Sequence, residues 1–476
     1  MSVLSHIFRE YDIRGVADRD LSNDIAERIG RGFGTMLAGL ARSDGTTLRL
    51  AVGRDCRLSS PRLFEALVRG LTKAGVTVLD IGVGPTPLLY FAVHHLNADG
   101  GIQITGSHNP GGENGFKMMK GKASFFGPDI QKLKDVIASE AWGAPAAGTF
   151  EPVNVQDAYV AAMKERFDFT GASLRFVLDA GNGAGGPLAI KVMRALGLSP
   201  DPLFCEMDGN FPNHHPDPTV PKNLDPLIAR VREVGAHVGL AFDGDADRLG
   251  AVDESGNIVW GDKLMILFSR ALLARHPGAT ILGEVKCSQT LYDDIAKHGG
   301  KPIVWKTGHS LIKTKMKETG ALLAGEMSGH LFFADRYFGY DDATYAALRL
   351  LEILAKDRRS IADMLADVPK TFTTPELRVD CPEDIKFQVV SAVTNHYKAK
   401  GYEVYDIDGA RIKFPMTRTR ASTEAGSAPT WGLVRASNTG PILVMRFEAG
   451  TASHLDAIQR EVEGVVAQER EKLAGG

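Results

Sequence analysis

Residues 48–82 read "LRLAVGRDCRLSSPRLFEALVRGLTKAGVTVLDIG". "LRLAVG" at 48–53 and "VTVLDIG" at 76–82 are apolar runs of strand length. Between them lies a helix signal: Ser60 as N-cap, Pro61 in the first turn, Leu63, Leu67 and Leu71 along one stripe, and Gly75 as the stop. A strand, a helix and a second strand in that order predict parallel pairing, because parallel neighbours need a crossover of this length. Upstream, Ile25, Ile29, Phe33, Leu37 and Leu40 keep one apolar face despite Gly30, Gly32, Gly34 and Gly39, so a further helix is expected there.

The pattern returns twice. "LRFVLDAGNGAGG" from Leu174 opens a second unit with a helix around residues 190–196, and "ATILGEVKCSQ" from Ala279 opens a third with a helix near Leu291. Each unit holds a later apolar strand running into a glycine-rich polar loop: "GIQITGSHNP", "VGLAFDGDADR" and "ALLAGEMSGH". Such loops lie beyond the carboxyl ends of the strands, where an open α/β sheet places ligands. After about residue 370 the texture changes to strands with hairpin turns, "PELRVD", "GYEVYDIDGARIKF", "WGLVRAS" and "PILVMRFEA", and a closing helix with Leu455, Ile458, Val462 and Val466 on one face. The expected architecture is three related mixed α/β domains (residues 1–152, 153–256 and 257–370) and a smaller C-terminal α+β domain (371–476). The stretch "PMTRTRASTEAGSAPT" at 415–430 has the composition of a loop.

Composition narrows the function. With 44% hydrophobic and 24% charged residues, the chain of 476 residues reads as an ordinary globular protein of several domains. Its net charge of -3 and lack of a basic tract argue against a nucleic-acid partner, so affinity for anions must be local. The four cysteines show no CxxC spacing, which fits a reduced, cytoplasmic protein without structural zinc. "MSVLSHIFREYDIRG" carries charge too early for a signal peptide and no long apolar run follows, so neither secretion nor membrane spanning is expected.

"DGDADR" at 243–248 places Asp243, Asp245 and Asp247 at alternate positions, an oxygen-only ligand set suited to Mg2+. A calcium EF-hand is disfavoured because Arg248 stands at the sixth position, where glycine is needed, and the flanks read as strands. "QITGSHNPGGENGFK" at 103–117 holds Ser107, His108 and Lys117. Taken alone, Ser107 reads as a turn hydroxyl. A hydrolase nucleophile elbow would need glycines where Thr105 and Asn109 stand, which disfavours acyl transfer. Phosphoryl transfer needs a hydroxyl carrier, a cation and donors that hold the group in line, and Ser107, the aspartates and Lys117 could supply them. "GEMSGH" at 325–330 offers Glu326 and Ser328 to adjacent sugar hydroxyls. "RASNTGP" at 435–441 offers Arg435 as a bidentate phosphate ligand, with Ser437, Asn438 and Thr439 as neutral donors.

Together "YDIRG", "TGSHNP", "NGFK", "DGDADR", "GEMSGH" and "RASNTGP", in this order, resemble the α-D-phosphohexomutase superfamily and its bacterial phosphomannomutase/phosphoglucomutase group. The resemblance covers nearly the whole chain and implies four domains around a deep central cleft. It implies a phosphorylated Ser107 that joins Asp243, Asp245 and Asp247 around Mg2+. Tyr11, Arg248, Lys286, His309, Glu326, Ser328 and His330 would face the sugar, and Arg435, Ser437, Asn438 and Thr439 would hold the phosphate that is not reacting. The implied reaction interconverts hexose 1-phosphate and hexose 6-phosphate of mannose or glucose through a hexose 1,6-bisphosphate. The partners would be phosphorylated hexoses; the oligomeric state is left open, a monomer being compatible.

The attacking hydroxyl must lose a proton, for which Lys117, His108 and His330 are candidates, Lys117 with Arg14 beside it being preferred. A lysine base would need its pKa lowered by burial or a neighbouring positive charge. Compared with the family, the 415–430 loop is long and Gly440 stands where a second threonine is common. "GEMSGH" favours mannose and glucose phosphates over glucosamine phosphate. The alternatives are a phosphoglucosamine mutase or a Mg2+-dependent sugar-phosphate phosphatase that would leave Ser107 unmodified.

Overall fold

The computed structural model describes residues 5–38, 47–143, 146–415, 428–437 and 440–474. Leu50, Val52, Ile102 and Ile104 are fully buried, as strands covered on both faces must be. The strand Arg49–Arg54 lies parallel to Thr77–Val83 and to Gly100–Ile104. The helix between the first two, Ser60–Lys73, buries Leu63, Leu67 and Leu71 as the stripe requires, and Gly75 follows it with φ +79°. Its N-terminus differs from the expected cap. Ser59 occupies that position without a capping bond, while the Ser60 hydroxyl donates to Asp55 Oδ1 at 2.6 Å. The buried carboxylate of Asp55 takes the hydroxyl that the helix end would otherwise use.

The same four-strand order appears in three sheets. In the first it is Glu113–Lys120, Gly100–Ile104, Arg49–Arg54, Thr77–Val83. In the second it is Leu249–Asp253, Val238–Phe242, Phe176–Asp179, Asp201–Leu203, and in the third Leu331–Phe333, Leu323–Gly325, Thr280–Glu284, Lys301–Trp305. Each time the first pair is antiparallel and the others are parallel. The connection inside each antiparallel pair carries a motif: residues 105–112, 243–248 and 326–330. Repetition of the topology therefore delivers one chemistry-bearing hairpin per domain.

The fourth sheet is antiparallel, with Ile442–Ala449 and Trp431–Ala436 at its centre. Helices Lys386–Ala399 and Ala452–Ala474 cover one face through Val389, Val393, Tyr397, Ile458 and Val462. The first of these helices was not anticipated. The opposite face is buried against the third domain although it carries charges. Arg411 donates to the carbonyls of Val285 and Cys287 at 2.6 and 2.9 Å, and Arg446 donates to that of Lys286. Glu448 accepts from Ser288 Oγ at 2.6 Å and Gln289 N at 3.0 Å.

A single apolar cluster runs through the second and third domains and takes in the helix Thr86–His95, joining Phe91, Tyr159, Phe242, Phe268 and Phe333. The first and fourth domains have cores of their own. Among the described residues no helix is long and apolar enough to cross a membrane.

Candidate active site

In the first hairpin the register sets Gln103 opposite Lys117, so the lysine stands near the mouth of the loop that carries Ser107. Ser107 is buried and has φ +50°, a left-handed conformation costly for a residue with a Cβ. Its N–H donates to Thr105 Oγ1 at 2.8 Å. Its Oγ donates to Asp243 Oδ2 at 3.0 Å and lies 3.2 Å from His108 Nδ1. Burial, and then Arg248 and Arg14, push the His108 imidazole well below its usual range, so it is neutral.

The second hairpin turns on Asp243, whose Oδ1 accepts the N–H groups of Asp247 and Arg248, each at 3.1 Å. Gly244 packs against the Ser107 carbonyl, where any Cβ would collide. Asp245 Oδ2 accepts from Thr86 Oγ1 at 2.5 Å and Lys117 Nζ at 2.7 Å, and the same ammonium pairs with Asp247. The three aspartates are buried with ligand oxygens within 4.8 Å of one another, and among the described residues the Oδ1 atoms of Asp245 and Asp247 have no hydrogen-bond partner. Burial, and then Asp247 and Asp245, drive the Asp243 carboxyl well above its usual range. A buried carboxylate excess with orphaned oxygens fits a hard divalent cation. The strands on either side and their antiparallel pairing do not fit an EF-hand.

Lys117 differs from the condition set for a lysine base. Burial works to lower its pKa, but Asp245 and Asp247 outweigh it and hold the ammonium charged. Arg14 is likewise charged: burial opposes, and Asp12 at 2.6 Å prevails. Arg14 also donates to Asn109 Oδ1 at 3.0 Å and so braces the Ser107 loop.

The third hairpin brings Glu326, Ser328 and His330 to the same cleft. Glu326 accepts from Gly308 N at 2.7 Å and from Ser328 Oγ at 2.9 Å. His330 Nε2 accepts from Arg248 Nε at 3.0 Å, and its Nδ1 lies 2.9 Å from Asp341 and 3.6 Å from Asp247. His309 stacks on His330 with ring centroids 5.6 Å apart, and burial holds it neutral. Tyr11 lies 6.1 Å from the His309 ring and donates to the Thr307 carbonyl at 3.1 Å.

At the fourth domain Arg435 pairs with Asp408 at 3.2 Å, and Asp408 also accepts from Thr307 N at 2.9 Å. Lys286 pairs with Glu376 at 3.3 Å. Ser437 is buried at the end of the strand Trp431–Ala436. Asn438, Thr439 and most of the 415–430 loop lie outside the described residues. A continuous path of contacts thus leads from Ser107 through Asp243, Arg248, His330, His309, Tyr11, Thr307 and Asp408 to Arg435.

Several participants carried no motif signal. Thr86 holds Asp245 from the start of a helix, and Asp341 joins His330 to Lys313 at 3.1 Å. Glu284 gathers Lys286 N, Thr307 Oγ1 and Met327 N. An acidic residue at the end of an apolar strand was the available clue for Glu284; Thr86 had none.

Sequence models of four successive domains match the chain. The phosphoglucomutase/phosphomannomutase α/β/α domains I, II and III cover residues 5–143, 157–256 and 260–372, and the family's C-terminal domain covers 376–465. The chain belongs to the phosphoglucomutase/phosphomannomutase family, the α-D-phosphohexomutases, and is a mutase of the isomerase class. It is 44% identical to the phosphomannomutase/phosphoglucomutase of Pseudomonas aeruginosa over 95% of this chain and 94% of that one. It is also 44% identical to a phosphoglucomutase of Neisseria gonorrhoeae, over 98% and 97%. A solved phosphoglucomutase/phosphomannomutase family protein from Burkholderia thailandensis superposes with a TM-score of 0.88 at 41% identity, over 98% of each chain.

Proposed function

We propose that this phosphohexomutase interconverts the 1- and 6-phosphates of glucose and mannose, with Ser107 as the phosphoryl carrier and a hexose 1,6-bisphosphate as intermediate and activator. The observation that carries the reading is the Ser107 hydroxyl, buried and 3.0 Å from Asp243 at the junction of two motif hairpins. Asp243, Asp245 and Asp247, with the serine phosphate, would hold Mg2+, which would neutralise charge on the transferring group.

In the transfer, the bond from phosphorus to Ser107 Oγ breaks and a bond from phosphorus to a sugar oxygen forms. The sugar hydroxyl loses its proton and Ser107 Oγ, the leaving group, gains one; in the return transfer from the other end of the sugar, the Ser107 hydroxyl loses its proton and the released sugar oxygen gains one. The charge states divide the candidates. His108, neutral beside Ser107 Oγ, can accept a proton. Lys117, charged between Asp245 and Asp247, supplies positive charge and a donor. Glu326 and Ser328 present paired polar atoms to sugar hydroxyls, with Arg248, Lys286, His309 and His330 around them. Arg435 and Ser437, with Asn438 and Thr439, hold the far phosphate, Arg435 exchanging Asp408 for it. One fixed grip opposite one chemical centre requires the bisphosphate to turn over between transfers. The boundaries near residues 152, 256 and 370 and a cytoplasmic setting, with all four cysteines free, complete the proposal.

Intact-protein mass tests it. A subpopulation heavier by one phosphoryl group is expected and should vanish in Ser107→Ala, together with a fall in kcat of about 10⁴-fold or more on glucose 1-phosphate and mannose 1-phosphate. Full turnover by Ser107→Ala would exclude the carrier.

A further inference from the structure

Arg57 stands behind the Ser107 loop, 1% exposed, in the turn that follows the strand Arg49–Arg54. Its Nη2 donates to the carbonyls of Ser107 at 2.7 Å and Asn109 at 2.6 Å. Its Nη1 donates to the carbonyls of Pro110 at 2.6 Å and Glu113 at 3.0 Å, and Nε donates to Asp55 Oδ2 at 3.1 Å. The guanidinium also lies 5.2 Å from the ring of Phe211, in the second domain. Gly106 passes so close that a Cβ there would collide with the guanidinium, and Gly209 of the second domain packs on the backbone of Cys56 and Arg57.

These contacts bear on geometry rather than on binding. A carbonyl is an acceptor and repels a phosphoryl group, so a loop that handles phosphate must turn its carbonyls away from the reacting atom. In a trans peptide the following N–H points opposite to the carbonyl, so drawing the Ser107 carbonyl back aims the His108 N–H the other way. Ser107 stays left-handed, at φ +50°, only while its surroundings over-determine that conformation. A planar fork with five donors reaches four carbonyls and a carboxylate in a fixed geometry, whereas a lysine offers three donors from a single point.

We propose that Arg57 is a positioning residue for the transfer: it holds the Ser107 loop in its left-handed turn and thereby places the reacting oxygen, without touching sugar or phosphate. The inference rests on Ser107 as carrier. The experiment compares wild type with Arg57→Lys in the full chain, loaded with glucose 1,6-bisphosphate and Mg2+ and assayed on glucose 1-phosphate. Turnover is expressed per folded, phosphorylated molecule, so partial unfolding does not enter.

The expected result is a fall in kcat of about 10²-fold, since displacement of a reacting group by about 1 Å costs that much. KM stays within about twofold, and the phosphoserine ³¹P resonance shifts or broadens. An unchanged kcat overturns the proposal, as does a fall in kcat with an unaltered phosphoserine resonance or a matching rise in KM. Arg57→Gln and Gly106→Ala, which crowds the guanidinium without removing it, carry the same expectation should Arg57→Lys not fold. Wild-type protein that takes up no phosphoryl group on Ser107 would instead refute the carrier itself.

Discussion

At the Ser107 end of the cleft, Asp243, Asp245 and Asp247 outnumber the cations in direct contact with them, Lys117 and Arg248. At the Arg435 end three buried cations already have carboxylates: Arg435 with Asp408, Lys286 with Glu376, and Lys386 with Glu383 at 2.7 Å. The first arrangement lacks positive charge that a divalent ion would supply; the second can take an anion by exchanging partners. Both ends draw loop carbonyls onto a buried cation. Arg57 does so for Ser107, and Lys386 gathers the carbonyls of Ser437 and Gly440 at 2.6 and 3.1 Å. The difference lies in what surrounds them. The Ser107 end is fixed from two domains by Thr86, Gly244 and Lys117, whereas Arg435 itself is held through Asp408, which also accepts from Thr307 N of the third domain. The first is built for geometry, and the second for grip.

Kinetic parameters should separate the two. After Ser107→Ala, the largest effect is expected from Asp245→Asn, which removes charge from the ligand set and from Lys117. It should lower kcat by about 10²–10³-fold, the cost of losing one preorganised electrostatic group. It should also raise the Mg2+ concentration needed for half-maximal activity, measured by titration after chelator treatment. Arg435→Lys should act on the other parameter. Loss of a bidentate charged pair removes about 1.5–3 kcal/mol of binding. Ground state and transition state lose it alike, so KM for glucose 1-phosphate should rise about tenfold or more with little change in kcat. An Arg435→Lys effect confined to kcat would break the comparison.

The repeated topology and its three hairpins were legible because each strand is short, apolar and followed by polar glycine-rich residues. Ser60 shows the limit of local reading: its hydroxyl serves Asp55, five residues earlier and buried by the fold. The charged face of the fourth sheet was illegible for a related reason. Arg446 and Glu448 alternate with the buried Met445 and Phe447, the ordinary pattern of a solvent face, and only the docking of the third domain buries them. The helix Lys386–Ala399 was missed although Val389, Val393 and Tyr397 recur at helical spacing, because its β-branched Val389, Val390 and Val393 favour strand. Within the site, the motif residues announced themselves by type and spacing. Thr86, Arg57 and Asp341 act on residues far from them in sequence, 159 positions away for Thr86 and Asp245, and no spacing rule reaches that far. The charge of Lys117 also depends on that folding, since its partners come from another domain.

The last expected effect is on stability rather than on turnover and concerns the scaffold of the Ser107 end. Asp341 and Asp342 are neighbours with opposite fates. Burial would raise Asp341, but Lys313 and His330 prevail and hold it well below the usual range. Asp342 caps the helix Ala343–Asp357, which begins where Ala343 N donates to the carbonyl of Ala246 in the aspartate loop at 3.1 Å. Among the described residues no cation pairs with it. Tyr337 and Tyr159 donate to Asp342 Oδ2 at 2.6 and 2.8 Å, but burial dominates and raises its pKa from 3.8 to about 6. The folded protein therefore holds this proton more tightly than the unfolded chain. Its stabilising contribution is complete below the unfolded pKa of 3.8 and is lost as pH rises to about 6. A shift of roughly two units corresponds to about 3 kcal/mol. Urea unfolding of wild type and Asp342→Asn across that range should show their stability difference changing by about this amount and then levelling above it. Because Asp342 does not contact the three aspartates, added Mg2+ should leave that pH-dependent difference in place. If Mg2+ abolished it, the helix cap would be part of the charge balance at the Ser107 end rather than a support beneath it.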